Sequence, residues 1–469
     1  MPDTVPEVAI ALLAGFAYAI VWYATRNLPR ATRVLGRVLP LIVLLPAVLY
    51  LSLEMSPHRE EARRTAEARK EMAGRETERG PAPQSRPPGP QPPPPPTEDR
   101  SRAPAPKRVE KAPTGGSGPP PGATADKDES WDVVPVFYGT DRARKDGVER
   151  IYYATDRARR LELGRALVTV PRVHQVPSIE RPFAIRIPYF NVTIYEQAED
   201  PKQHFTVKEI KSLSRDDFLA FARERVAGAR AFKEQAVVFV HGYNTAFDYA
   251  LYRTAQMAYD LKYDGATFLY SWPSGGGVAA YGYDRESATQ SEPYLKDFLS
   301  LVLRETGAKS VSVIAHSMGN LPLLNVLRDL GPALPPDVKL NQIIMAAPDV
   351  DRDVFANLAA NIKQYGRGVT LYCSANDRAM SASRRVAGGV PRAGDVPPEG
   401  PIVIAGIDTI DVTRTSTDVL ALNHSSYAEK SALLNDIGLL LLTGERPPEK
   451  RIPILQKIQA AAGEFWRYP

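Results

Sequence analysis

The chain has one cysteine, Cys373, in 469 residues, and a lone thiol cannot close an internal disulfide. It has no HExxH and no cluster of Cys and His at metal-ligand spacing, so the familiar zinc patterns are missing. Gly275-Gly276-Gly277 lacks the G-x-G-x-x-G spacing and the lysine of a phosphate-binding loop. No metal or nucleotide cofactor is expected. An excess of one charge is missing too: 59 Lys and Arg stand against 54 Asp and Glu, for a net charge of +5. The bases alternate with acids and form no stripe, so nucleic acid is not an expected partner. Cys373 ends a strand-like apolar run and reads as core.

What the chain does have begins with two apolar stretches near its start. Residues 8–24 and 38–53 each approach the ~20 residues that cross a bilayer. Pro40 and Pro46 lie in the second, where a membrane tolerates them better than water does. Only Asp3 and Glu7 precede the first stretch as charges, so there is no basic region of a cleaved signal peptide. Residues 1–56 are therefore predicted to form a transmembrane helical hairpin. The loop between the spans carries Arg26, Arg30, Arg33 and Arg37 and no acid, which places it in the cytoplasm by the positive-inside rule. The rest of the chain would then face the periplasm of a bacterial inner membrane. Arg59, Arg63, Arg64, Arg69 and Lys70 beyond the second span argue the other way.

Residues 57–128 read as a linker. Its first part is charged, and residues 80–125 are rich in proline, with a run from Pro92 to Pro96 and a break at Gly115-Gly116-Ser117-Gly118. Such a composition cannot bury enough apolar surface to fold and favours extended polyproline conformations. Its simplest task is a tether. A protein partner docking on the prolines is conceivable, but the sequence names none.

The catalytic signal lies in Ala315-His316-Ser317-Met318-Gly319. It follows a β-type apolar run at 310–314 and precedes a helix-like run at 320–330. That is the context of a nucleophile elbow, in which a serine on a sharp strand-to-helix turn exposes its hydroxyl above a parallel sheet. The usual pattern is G-x-S-x-G; Ala315 replaces the first glycine and is small enough for the turn. A serine before a helix also serves as a plain N-cap, so the partners decide. Upstream, Ala236 to Val240 is fully apolar and ends in His241-Gly242-Tyr243-Asn244. In folds with this elbow, the loop after that strand supplies one oxyanion N–H and the residue after the serine supplies the other. These are assigned to Tyr243 and Met318, with Gly242 allowing close backbone approach.

Of six histidines, only His424 follows the serine, where the order Ser…Asp/Glu…His requires the base. The acid has two candidates. Asp377 follows the second strand-like run after the elbow and is preferred; Asp349 follows the first, and its bland alternative is a loop or capping aspartate. The acid would hold the imidazole tautomer and stabilise the imidazolium. Trp272-Pro273-Ser274 and residues 378–398 are expected to shape the pocket.

Several of these segments together resemble a known family, the α/β-hydrolases grouped as domain of unknown function 900. The segments are Val136-Phe137-Tyr138-Gly139-Thr140-Asp141-Arg142, Leu163-Gly164-Arg165-Ala166, Val168-Thr169-Val170-Pro171, Val240-His241-Gly242-Tyr243-Asn244, Tyr270-Ser271-Trp272-Pro273-Ser274, the elbow with Asn320, and Ala346-Ala347-Pro348-Asp349. The resemblance spans roughly residues 133–442. It implies an α/β-hydrolase fold and a Ser/Asp/His site, makes alanine at the first elbow position ordinary, and implies no substrate.

The expected architecture is α/β: a mostly parallel sheet with helices on both faces over residues 129–445, then a C-terminal tail at 446–469. Alternating strand-like and helix-like runs from residue 236 onward carry this. Residues 133–171 and 183–194 are expected to add antiparallel strands, residues 214–227 a helix capped by Ser214, and residues 284–305 one long helix. Tyr138-Gly139-Thr140-Asp141-Arg142-Ala143-Arg144 recurs at residues 153–159 across a Lys145-Asp146-Gly147 turn, which suggests a hairpin or a slipped duplication, with the arginines solvated or paired. The function expected is a membrane-tethered serine hydrolase acting on a small ester or other acyl substrate. The alternative is a catalytically inactive scaffold of the cell envelope.

Overall fold

The computed structural model describes residues 130–147, 150–187, 192–276, 280–334, 340–376, 383–384, 389–415 and 427–469. All of them belong to the unit Glu110–Pro469. The two apolar stretches and the proline-rich tether lie outside the described residues. Among the described residues, no helix is long and apolar enough to cross a membrane.

The centre of the fold is a run of short, mostly apolar and buried strands. These are β6 (Gln235–Val240), β7 (Ala266–Ser271), β8 (Ser310–His316), β9 (Leu340–Ala346) and β10 (Gly366–Cys373). Apolar residues on both sides of each strand require cover on both faces, which is the signature of a buried parallel sheet. In β6, Val238 and Val240 enter one core cluster while Val237 and Phe239 enter the other, as a period of two demands. One face is covered by α1 (Arg215–Gly228), α4 (Glu292–Glu305), α5 (Asn320–Leu330) and α6 (Arg352–Ile362). The other is covered by α2 (Phe247–Asp260) and α7 (Tyr427–Thr443).

Eleven strands form one sheet in the order β12-β13-β11-β10-β9-β8-β6-β7-β1-β2-β5. The added strands are β1 (Trp131–Asp146), β2 (Ile151–Pro171), β5 (Thr206–Leu213), β11 (Asp408–Asp411), β12 (Gln456–Ala460) and β13 (Gly463–Arg467). Neighbours from β1 through to β13 run parallel, and the pairs β1/β2, β2/β5 and β12/β13 run antiparallel. The chain leaves β6 for β7 on one side and returns to β8 on the other. The strand order thus reverses between β6 and β8, and a crevice at the carboxyl ends of the strands at such a point is where open α/β sheets bind ligands.

Three expectations are corrected. Residues 183–194 do not extend the main sheet: β3 (Ala184–Ile187) and β4 (Val192–Glu196) pair only with each other. The long helix is two, α3 (Tyr281–Gln290) and α4, divided at Ser291 with Pro293 in the first turn of α4. Proline has no N–H to continue the preceding helix and suits the start of a new one. The residues set apart as a C-terminal tail supply β12 and β13 to the sheet edge, and Arg451 of the short helix α8 (Pro448–Arg451) meets buried Asp436 at 2.6 Å. The hairpin of β1 and β2 forms as read, and of the two readings of its arginines, solvated or paired, Arg142 is fully buried and bonded to neighbouring groups. Ser214 caps α1 by accepting from the Asp217 amide at 3.1 Å, as its position in the sequence predicts.

Candidate active site

Ser317 stands at the end of β8, in a single 3₁₀ turn, Ser317–Gly319, that leads into α5. Its φ is 50°, in the left-handed region, which costs a non-glycine residue ~1–3 kcal/mol and persists only where the surroundings impose it. The surroundings are visible. Asn320 Nδ2 donates to the Ser317 carbonyl at 2.9 Å and to the Ala315 carbonyl at 3.3 Å. Gly319 packs so tightly that a Cβ there would lie 2.3 Å from the His241 carbonyl oxygen. Asn244 and Ala347, with φ of 54° and 42°, repeat the left-handed strain just beyond β6 and β9. Strain of this kind concentrates at functional sites, and here it concentrates on the carboxyl ends of three adjacent strands.

The loop after β6 lies against the serine. A Cβ on Gly242 would come within 2.9 Å of Ser317 Cβ and 3.0 Å of His316 Nδ1. Glycine is therefore required by contact, and the backbone that carries Tyr243 is brought beside the nucleophile. His241 is buried and its ring is held by internal contacts. Its Nδ1 donates to the Gly242 carbonyl at 2.7 Å, its Nε2 accepts from Ser271 Oγ at 3.0 Å, and its ring stacks on Trp272 at 4.9 Å. Burial first, and then the charge of Arg142, hold His241 well below the usual histidine range. Burial and the charge of Arg253 also lower His316, to about 3. Both rings are neutral at physiological pH, and neither is arranged as the base.

Trp272 is fully buried and donates its Nε1–H to the His241 carbonyl at 2.8 Å. It braces the loop; the expectation that it lines a pocket is corrected. A surface groove of about 640 Å³ lined by Leu163, Leu213, Leu301, Arg215 and Glu305 includes none of the elbow or the loop after β6.

Of the acid candidates, Asp349 is described. It follows β9, whose Ala346 pairs with His316 of β8, and is 1% exposed. Its Oδ1 accepts from Tyr281 Oη at 3.2 Å and from Ser383 Oγ, and lies 3.1 Å from Arg392 Nε. Its Oδ2 is buried and has no hydrogen-bond partner among the described residues. Burial raises the carboxyl above its usual range, against the hydrogen bond from Ser383, the charge of Arg392 and the bond from Tyr281. Asp351, two residues on, is the N-cap of α6 and accepts from the Asp353 and Val354 amides. Asp377 and His424 lie outside the described residues. The described structure thus places Gly242 and Tyr243, Ser317 and Met318, and Asp349 just after the carboxyl ends of the adjacent strands β6, β8 and β9. The supporting shell of Arg142, Ser271, Ser274, Asp284 and Asn320 is not legible in the sequence as such; Arg142, Ser271, Ser274 and Asn320 lie in the segments that carry the family resemblance, and Asp284 lies in none of them.

Residues 223–446, just under half of the chain, match the profile of a family described as alpha/beta hydrolase of unknown function (DUF900). A curated relative, the uncharacterized protein alr1448 of Nostoc sp., is 38% identical over 61 residues, which is 13% of this chain and 16% of that protein. A solved structure from a study of two prolyl endopeptidases aligns with 68% of this chain and 54% of its own, at 9% identity and a TM-score of 0.28. The chain thus spans about a sixth of the curated relative and about half of the solved chain, and so distant a structural likeness carries no argument about activity. The mostly parallel sheet with helices on both faces and the matching profile make this fold α/β-hydrolase-like.

Proposed function

We propose that the chain is a serine hydrolase that cleaves an ester or related acyl bond. The observation that carries this is Ser317 in left-handed backbone between β8 and α5, with Gly242 of the neighbouring loop in contact with it. Ser317 Oγ attacks the acyl carbon while its proton passes to His424. The carbonyl oxygen becomes an oxyanion beside the N–H groups of Tyr243 and Met318. The bond to the leaving group breaks as the imidazolium returns the proton to it. Water then attacks the acyl-enzyme, gives a proton to His424, and the proton returns to Ser317 Oγ. Fixed donors at a developing oxyanion contribute ~3 kcal/mol each.

For the orienting acid we favour Asp349 over Asp377. What supports it is a buried carboxylate already held through one oxygen, with the other unengaged among the described residues. Tethering to a membrane remains part of the proposal and rests on the two apolar stretches alone.

The test is to treat the full chain, purified in detergent, with a fluorophosphonate probe, which serine hydrolases of this design take on the nucleophile. Labelling that disappears in Ser317→Ala is expected. Labelling that persists in that variant, or none in the parent, sinks the enzyme reading and leaves the scaffold, for which Ser317→Ala would change nothing.

A further inference from the structure

Arg142 and Asp284 are fully buried charged residues, and neither belongs to the proposed triad or oxyanion hole. Arg142 follows the last β1 residues that pair with β7, where Thr140 faces Ser271. Its guanidinium meets an acceptor at every nitrogen. Nε donates to Ser271 Oγ at 2.9 Å, Nη1 to the carbonyls of Ala154 and Ser274, each at 3.3 Å, and Nη2 to the Thr245 carbonyl at 2.7 Å. Nη2 also lies 3.4 Å from His241 Nε2.

Asp284, in the first turn of α3, holds the same loop from the other side. Its Oδ2 accepts from the Asn244 amide at 2.9 Å and from Ser274 Oγ at 2.6 Å, and its Oδ1 from the Gly275 amide at 2.5 Å. Ser274 Oγ in turn accepts from the Thr245 amide at 2.9 Å. The loop 241–245 is thus gripped at the Thr245 carbonyl by a cation and at the Asn244 amide by a carboxylate, which also reaches the Thr245 amide through Ser274 Oγ. Charge-assisted bonds of this kind are stronger and more directional than neutral ones. Burying a full charge is costly unless every donor or acceptor is met, and the grip falls on a loop whose Asn244 sits at φ 54°.

We propose that Arg142 and Asp284 are positioning residues that together fix the oxyanion loop 241–245 against Ser317 and so set the rate of its acylation. This rests on the serine-hydrolase reading. A loop held in this way keeps its donors aimed before substrate arrives, and displacement of such a group by about 1 Å can cost on the order of 10²-fold in rate.

The test uses the full chain with Arg142→Lys, which keeps the charge and loses the fork, Asp284→Asn, which keeps the shape and loses the charge, and Tyr372→Phe as a control. Tyr372 donates to Asp436 at 2.7 Å in a separate buried network. Two readouts are taken per folded molecule: hydrogen exchange at the amides of Asn244 and Thr245, and the rate of Ser317 labelling by the fluorophosphonate at saturating probe. Arg142→Lys and Asp284→Asn are expected to speed exchange at those amides and to slow saturating labelling by about 10²-fold, with the half-saturating probe concentration unchanged. Tyr372→Phe is expected to lower Tm and move neither readout. Should Arg142→Lys fail to fold, Asp284→Asn carries the test. Unchanged exchange in the folded variants overturns the grip, and faster exchange with unchanged labelling overturns its role in acylation. A parent chain that takes no label sinks the hydrolase reading and with it the role in acylation; the exchange readout still decides whether the two residues hold the loop.

Discussion

At the scale of single residues, contact distances make sharp statements. Gly242 has room for a hydrogen and nothing more, since a Cβ would meet Ser317 Cβ at 2.9 Å. Gly242→Ala is expected to push the loop off the nucleophile and slow fluorophosphonate labelling by about 10²-fold, while Tm changes little. Gly319→Ala would drive a Cβ to 2.3 Å from a backbone oxygen. Neither backbone can yield, so the cost belongs to folding, on the order of 1–3 kcal/mol, and a drop in Tm is the measurement. The two acid candidates separate by kinetics: the asparagine variant of the true acid should lose about 10⁴-fold in turnover and the other should lose little. If Asp377→Asn is the crippled one, Asp349 is a structural partner of Arg392.

The elements are joined by buried charged groups as well as by apolar packing. His174, in the turn after β2, lies 2.8 Å from Glu180 and 2.8 Å from Asp260 at the end of α2. Burial opposes its charge, but the hydrogen bonds to Asp260 and Glu180 and their charges win and raise it to about 9. A histidine raised in the folded state stabilises fully below its unfolded pKa of ~6.5. That contribution fades as pH climbs from there through about 9, and it is worth up to ~3 kcal/mol. Tm should therefore fall between pH 6.5 and 9, and His174→Gln should be less stable at pH 6 and lose most of that slope. A parent chain with a flat profile across this window would show that His174 does not carry the charge. The same scale shows where reading the sequence worked. Strands β6 and β7 announce themselves by apolar runs, β8 to β10 by their apolar second halves, and α1 by its cap. The division at Ser291 is hard to read because Ala288 is the one apolar residue from Arg285 to Glu292, so no change of period marks it, and one proline in a first turn is a weak mark.

For the whole molecule, the last 24 residues count more than their position suggests. Arg446 bonds Gln342 at 2.8 Å and Thr370 at 2.9 Å, Arg451 neutralises buried Asp436, and β13 pairs with β11. Removing the partner of a buried charge costs ~3–5 kcal/mol. A chain ending at residue 445 is expected to be insoluble or to melt far below the parent in a thermal scan; a Tm within a few degrees would make the segment dispensable. The proposed tether is tested at this scale too. The full chain should stay with membranes after alkaline carbonate and leave them in detergent, and release by carbonate alone would remove the transmembrane hairpin.

The turn at Ser317 and the close approach of Gly242 could be read from the chain alone. A sharp turn and a close backbone approach restrict which residues fit locally, and that restriction is written in consecutive letters. The alternating elements likewise declared a parallel sheet, because burial on both faces imprints a composition on each strand. Only the tertiary structure decided that Arg142 lies inside, that it grips Thr245 from a strand about a hundred positions away, and that Asp284 answers it from a helix. An arginine or aspartate reads as solvated wherever it stands, since nothing in its neighbours along the chain records which distant carbonyls and amides will close around it.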